Sequence, residues 1–181
     1  MGQARPARSA AAGERACAWR RWSRIGCGHE ARIYTDTSVL GGCEDEEFAE
    51  HSVRLLDGFV RGERVLVLSS LTVQELAAAP REVRRRLSSS VPEEHVEMLQ
   101  LDAEASELAE AYIAAAVLSP RMRADAQHIA IATVGRVDVL VSWNFKHIVN
   151  LERIHGYNSV NLRKGYPIIE ILMPREVLSD E

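Results

Sequence analysis

Four residues of this 181-residue chain, Asp36, Glu75, Asp125 and Asn144, have types and settings that could support metal chemistry. Asp36 ends a short apolar run, Ala31 to Thr35, and Asn144 follows another, Val137 to Ser142. Glu75 falls one turn into a helix expected after a third run, Arg64 to Ser69, and Asp125 near the start of a helix leading into the run at Val137. In open parallel sheets, functional groups collect beyond the carboxyl ends of the strands, so these positions could converge on one edge. Carboxylates brought together repel, and each buried one takes up a proton unless a cation neutralises the group. Three carboxylates and an amide are hard oxygen donors, better suited to Mg²⁺ or Mn²⁺ than to Zn²⁺, and no His/Cys cluster competes for the assignment. Such a cation could polarise a phosphodiester oxygen and generate hydroxide from bound water.

Each residue also has a purely structural reading. Asp36 could be a turn or cap residue. Thr72-Val73-Gln74-Glu75 has the form of a capping box, in which the Glu reaches back to the Thr amide. Asp125 would interact favourably with a helix dipole, and Asn144 could cap a helix beginning at Phe145. His128 lies one turn beyond Asp125 and reads as a satisfied core histidine, outside the site. Asp138 belongs to the turn before a strand, and the Glu44 to Glu47 run to the solvated start of a helix.

Strands and helices must alternate to hold these groups, which in a domain of this size means a parallel sheet covered on both faces. Ala31 to Thr35 is the first strand, and Glu46 to Arg61 a helix with Phe48, Ser52, Leu55, Leu56, Phe59 and Val60 on one stripe, ended at Gly62. Val65 to Leu68 is an unbroken apolar run, as in a strand buried on both faces. Helices follow at Thr72 to Ala79 and from Pro80 through Leu87, with a brief strand near Val96 to Leu101. Asp102 caps a helix carrying Ala105, Leu108, Ala109, Tyr112 and Ala116, and Arg123 to Val134 is a sandwiched helix stopped by Gly135. Val137 to Ser142 and Ile168 to Leu172 complete the strands.

Residues 1–30, with six Arg against two Glu, show neither helical nor strand periodicity and are expected to be a disordered tail, a targeting peptide or residues upstream of the native start; 31–181 form the domain. The remainder carries sixteen bases against twenty-four acids, a net −8 that argues against a tight phosphate-tracking module but not against an enzyme whose acids hold cations. Candidates for holding phosphates are Arg81, Arg84, Arg85, Arg86, Lys146, Arg163 and Lys164. Cys17, Cys27 and Cys43 are unpaired in spacing, with no secretory leader, so a reducing cytoplasmic setting is expected. No apolar run approaches the roughly 18–20 residues that span a bilayer. A P-loop, a dinucleotide fingerprint and a nucleophile elbow are all absent.

Four segments carry a resemblance: Tyr34-Thr35-Asp36-Thr37-Ser38-Val39-Leu40, Thr72-Val73-Gln74-Glu75-Leu76, Arg123-Ala124-Asp125-Ala126-Gln127-His128-Ile129-Ala130-Ile131-Ala132 and Leu140-Val141-Ser142-Trp143-Asn144-Phe145-Lys146-His147. In order and spacing they resemble the motifs of PIN domains, over roughly Arg32 to Leu178, and are most similar to bacterial toxin-type (VapC-like) members. The resemblance implies a Rossmann-like three-layer α/β/α domain with a central parallel sheet of four to five strands. It also implies Mg²⁺- or Mn²⁺-dependent endoribonuclease activity leaving a 3′ hydroxyl and a 5′ phosphate, an antitoxin partner and a homodimer. By position, Asp36, Glu75 and Asp125 match the metal-binding acids, and Ser38 matches the small polar residue that orients the first of them. Asn144 stands where many members have a fourth Asp; a neutral amide can ligate or orient water but cannot balance a second cation. The alternative is a PIN-like module that has lost hydrolysis and binds RNA or protein.

Overall fold

A computed structural model describes residues 30–79, 81, 83 and 91–178. The elements run β1 (Ala31–Thr35), α1 (Thr37–Gly41), α2 (Ala49–Val60), β2 (Arg64–Ser69), α3 (Ser70–Ala78), β3 (Val96–Leu99), α4 (Ala103–Ala114), α5 (Arg123–Val134), β4 (Val139–Val141), α6 (Leu151–Lys164), β5 (Ile171–Leu172) and α7 (Pro174–Leu178), with short 3₁₀ turns between some of them. The five strands form one sheet in the order β3-β2-β1-β4-β5, and every pairing is parallel.

The strands alternate their side chains between two apolar layers, as the two-residue period of a strand requires. Ile33, Leu66, Leu68, Val139 and Val141 join Val39, Leu55, Phe59, Leu76 and Val177 on one face. Tyr34, Val67 and Leu140 face the other layer, with Leu108, Tyr112, Ile129, Ile131, Tyr157 and Val160 from α4, α5 and α6. The fold is therefore a three-layer α/β/α sandwich. α5 is buried on most sides, Ala126 and His128 through Thr133 all being inaccessible, as its apolar composition predicts. A polar tie joins the outer helices: Tyr112 donates to Asn161 Oδ1 at 2.5 Å, and Asn161 Nδ2 reaches Thr133 Oγ1 at 3.4 Å.

Several element ends differ from the sequence expectation for local hydrogen-bonding reasons. α2 begins at Ala49 rather than Glu46, because Asp45 first forms a turn that receives the amides of Glu47 and Phe48. The exposed residues 44–47 precede that helix, and Val60, expected on its buried stripe, is 37% exposed. β5 is shortened because Asn158 engages both backbone groups of Ile169, accepting from its amide at 2.8 Å and donating to its carbonyl at 3.1 Å. β4 starts at Val139, while Asp138 accepts the Arg32 amide at 2.7 Å in the turn before it, the role its position predicts. Gly62 follows α2 in the left-handed region (φ +69°) that a glycine adopts without steric cost. Most of the expected helix Pro80 to Leu87, including Arg84, Arg85 and Arg86, lies outside the described residues, as do residues 1–29.

Candidate active site at the sheet switch point

β1 and β4 are neighbours in the sheet, but the chain leaves β1 toward β2 on one side and β4 toward β5 on the other, so the loops beyond their carboxyl ends diverge. Such a divergence is the usual ligand position in an open parallel sheet. Asp36 follows β1 directly, and Ser142, Trp143 and Asn144 follow β4.

Asp36 is buried, at 5% exposure, and both of its oxygens are engaged. Oδ1 accepts the hydroxyl of Ser38 at 2.6 Å and its amide at 3.1 Å, capping α1. Oδ2 accepts the Ser142 hydroxyl at 2.6 Å. Ser38 thus holds Asp36 through both its hydroxyl and its amide, and its Oγ also receives the Trp143 amide at 2.9 Å, binding the two loops together. Burial pushes the Asp36 carboxyl above the ordinary Asp value of 3.8, against the opposing pull of Ser142 and Ser38.

The capping-box reading of Glu75 is wrong. α3 begins two residues before Thr72, and the Thr72 amide is satisfied by the Ser69 hydroxyl at 3.1 Å, so the helix does not need Glu75. Glu75 Oε2 instead accepts from the Thr37 hydroxyl and lies 3.1 Å from His128 Nε2. The hydrogen bond from His128 is the main reason its carboxyl sits below the ordinary Glu value, outweighing partial burial. Asp125, in the first turn of α5, accepts Asn144 Nδ2 at 2.8 Å through Oδ1. Burial raises its pKa, His147 and His128 oppose that, and the negative charges of Asp36 and Glu75 raise it further. Asp125 thus lies within electrostatic reach of the other two acids.

Asn144 does cap, but over a turn rather than a helix: its Oδ1 accepts the His147 amide at 3.0 Å, and the next helix, α6, starts only at Leu151 behind its own cap, Asn150. His128 is buried and satisfied, as expected of a core histidine, yet it is also wired to the site. A carboxylate can only accept, so Nε2 donates to Glu75, and Nδ1 meets the Tyr34 hydroxyl 2.7 Å away. Tyr34 in turn meets Ser69 Oγ at 2.8 Å, and Ser69 meets Thr72 Oγ1 at 3.0 Å. Sequence reasoning missed Ser142 and Thr37, whose small hydroxyls carry no signal until the loops are juxtaposed. For His128, the spacing of one turn from Asp125 was the available clue.

Of the expected phosphate-holding cations, Lys146 is exposed two residues beyond Asn144. Arg163 and Lys164 end α6, which returns the chain from the carboxyl end of β4 to the start of β5, so they lie toward the opposite edge of the sheet. Arg81 is exposed.

No family model matches the sequence, and no curated protein is similar to it. Solved structures are similar in fold. FitAcB from Neisseria gonorrhoeae superposes with a TM-score of 0.52 at 16% identity, over 79% of this chain and 98% of that one. VapBC2 from Rickettsia felis, bound to a DNA fragment from their promoter, gives 0.50 at 12% identity, over 78% and 98%. The chain has a PIN-like fold. The part that aligns with these PIN-like structures excludes about a fifth of the chain, while nearly all of each partner structure is matched.

Asp36, Glu75 and Asp125 offer carboxylate oxygens, the donor type that a hard divalent cation takes, and burial holds Asp36 and Asp125 above their ordinary pKa, a cost that a cation would relieve. Among the described residues, Glu75 Oε1 and Asp125 Oδ2 accept no hydrogen bond, whereas both Asp36 oxygens do. No three His, Cys, Asp or Glu side chains among the described residues form a ready-made metal cluster. Among the described residues, too, no helix is long and apolar enough to cross a membrane.

Proposed function

We propose that this chain is a Mg²⁺- or Mn²⁺-dependent endoribonuclease that hydrolyses RNA phosphodiester bonds, acting as the toxin of a toxin–antitoxin pair. The observation that supports this reading is the position of Asp36 at the β1/β4 switch point, from which hydrogen bonds through Ser142 and Asn144 lead to a second acid, Asp125. Asp36 and Asp125, with Glu75, would hold the cation, and Ser38 and Ser142 fix the orientation of Asp36. When bound, the cation supplies Lewis acidity at a phosphodiester oxygen and lowers the pKa of water. Glu75, kept ionised by His128 and Thr37, is placed to accept a proton from the attacking water. Asn144 orients Asp125 and completes the polar wall. The expected products carry a 3′ hydroxyl and a 5′ phosphate.

An antitoxin segment bearing Arg would find complementary charge in so acidic a crevice, and a homodimer through the middle helices α4 and α5 is part of the same reading. A small open reading frame for a DNA-binding protein immediately upstream would support the pairing. The direct test is cleavage of RNA by the purified protein with Mg²⁺ or Mn²⁺. Activity that persists in EDTA, or in both Asp36→Asn and Asp125→Asn, would overturn the proposal.

Two observations favour a second reading, a PIN-like module without hydrolysis that binds RNA or protein: the amide at Asn144 donates to Asp125, and no metal cluster is assembled among the described residues. Calorimetric titration separates the two. No measurable Mn²⁺ affinity at millimolar concentration would favour the inactive module.

A further inference from the structure

The loop that supplies Asn144 also carries aromatic rings that the chemistry does not use. Trp143 is held on every side: its indole Nε1 donates to Ser52 Oγ at 2.8 Å, its amide to Ser38, and its ring stacks on Phe48 with centroids 4.6 Å apart at 29°. Gly42 leaves room for it, since a Cβ there would stand 2.9 Å from Nε1. Phe145 leans on this foundation, 5.9 Å from Trp143 and 6.1 Å from Phe48, yet remains 45% exposed. A single exposed apolar side chain needs no explanation. Here the exposed ring rests on a fixed base, is the residue next to Asn144, and is followed by the exposed Lys146.

We infer that Phe145, backed by Trp143 and Phe48, is a stacking platform for an unpaired RNA base next to the cleaved phosphate, with Lys146 on the neighbouring backbone. The inference rests on the ribonuclease reading and adds the residue that would receive the base. An acidic body, net −8 outside residues 1–30, gains little from phosphate tracking, so affinity has to come from base stacking. Stacking on a protein ring needs a free base face, which a duplex keeps inside its own stack. The platform therefore selects unpaired RNA and gives a shallow salt dependence.

The test uses the full chain carrying Asp36→Asn, in EDTA, which blocks cleavage and lowers the negative charge at the crevice. Binding of a labelled 12-nucleotide RNA of mixed sequence is followed by fluorescence anisotropy, against the same sequence as a blunt duplex. The expected result is preference for the single strand. Phe145→Ala should weaken single-strand binding by about 5- to 100-fold, the range of one lost base stack, and Phe145→Trp should restore it. Equal binding of single strand and duplex, no binding of either, or an unchanged affinity in Phe145→Ala overturns the platform. The last of these would mark the aromatic patch as a protein contact instead. Because the assay contains no metal, Phe145-dependent binding by a protein that never cleaves RNA would overturn the ribonuclease reading and leave the platform standing.

Discussion

His128 and Glu75, 53 positions apart, are joined by a hydrogen bond of 3.1 Å that fixes the one acid of the site whose pKa is lowered. His128 touches no reacting atom in the proposed chemistry; it positions Glu75 and is itself held by Tyr34. Replacing it with Ala removes the largest cause of the low Glu75 pKa, so the acid limb of the pH–rate profile should move to higher pH. Cleavage should fall by about 10- to 100-fold, the usual cost of removing such a support. His128→Gln, which keeps a donor toward Glu75, should recover part of both effects. An unmoved acid limb in His128→Ala would show that Glu75 is not the base.

Asp36 behaves in the opposite sense. Its folded-state pKa is raised by burial, so the folded protein binds that proton more tightly than the unfolded chain does, and stability falls as pH rises from the ordinary value of 3.8 through the raised one. In EDTA at neutral pH, Asp36→Asn should therefore raise Tm by a few degrees, the scale on which about 1 kcal/mol moves a domain of this size. Thermal melts at pH 5 and 7.5 check both sign and window: the advantage of the variant should be larger at pH 7.5.

Metal should reverse that order. A cation bound only by the folded state stabilises it by about 2.7 kcal/mol at a hundredfold excess over Kd. Mn²⁺ should raise the Tm of the unmodified chain, and the rise should be lost in Asp36→Asn and in Asp125→Asn. A Tm that does not respond to millimolar Mn²⁺ would agree with the inactive-module reading.

Gly42→Ala tests the packing beneath the aromatic loop. The added Cβ would lie 2.8 Å from Ser52 Oγ and 2.9 Å from Trp143 Nε1, so the indole and its hydrogen bond must shift. The expected loss is about 1–3 kcal/mol, typical of overpacking a filled interior. Denaturant unfolding measures it, and a change in the emission of Trp143 should accompany it.

How far the sequence could be read depends on the range of the interactions involved. β1, β2, α4 and α5 were legible because apolar runs and periodic stripes are local signals; Asp102 capping α4 and Gly135 closing α5 are equally local. The parallel sheet followed from alternation alone, whereas its order did not, since only side-chain packing across the layers places β4 beside β1. Asp36 and Ser38 could be singled out because the motif that carries them is local, and they hydrogen-bond across two positions. Ser142, Thr37 and the Tyr34–His128–Glu75 relay were not, because each depends on a partner 35 or more positions away. The capping alternative for Glu75 fails for the converse reason: a local pattern, Thr72 to Glu75, has the form of a box, and the helix starts earlier.

The Asp36–Ser142 hydrogen bond, which spans 106 positions, also orders events in time. A ribosome makes Asp36 early and Asn144 only after four-fifths of the chain, and β1 has no β4 to pair with until then. A partly synthesised chain therefore lacks half of its crevice. Until Asn144 has been made, the nascent chain cannot assemble the place at which the finished protein would cut or grip.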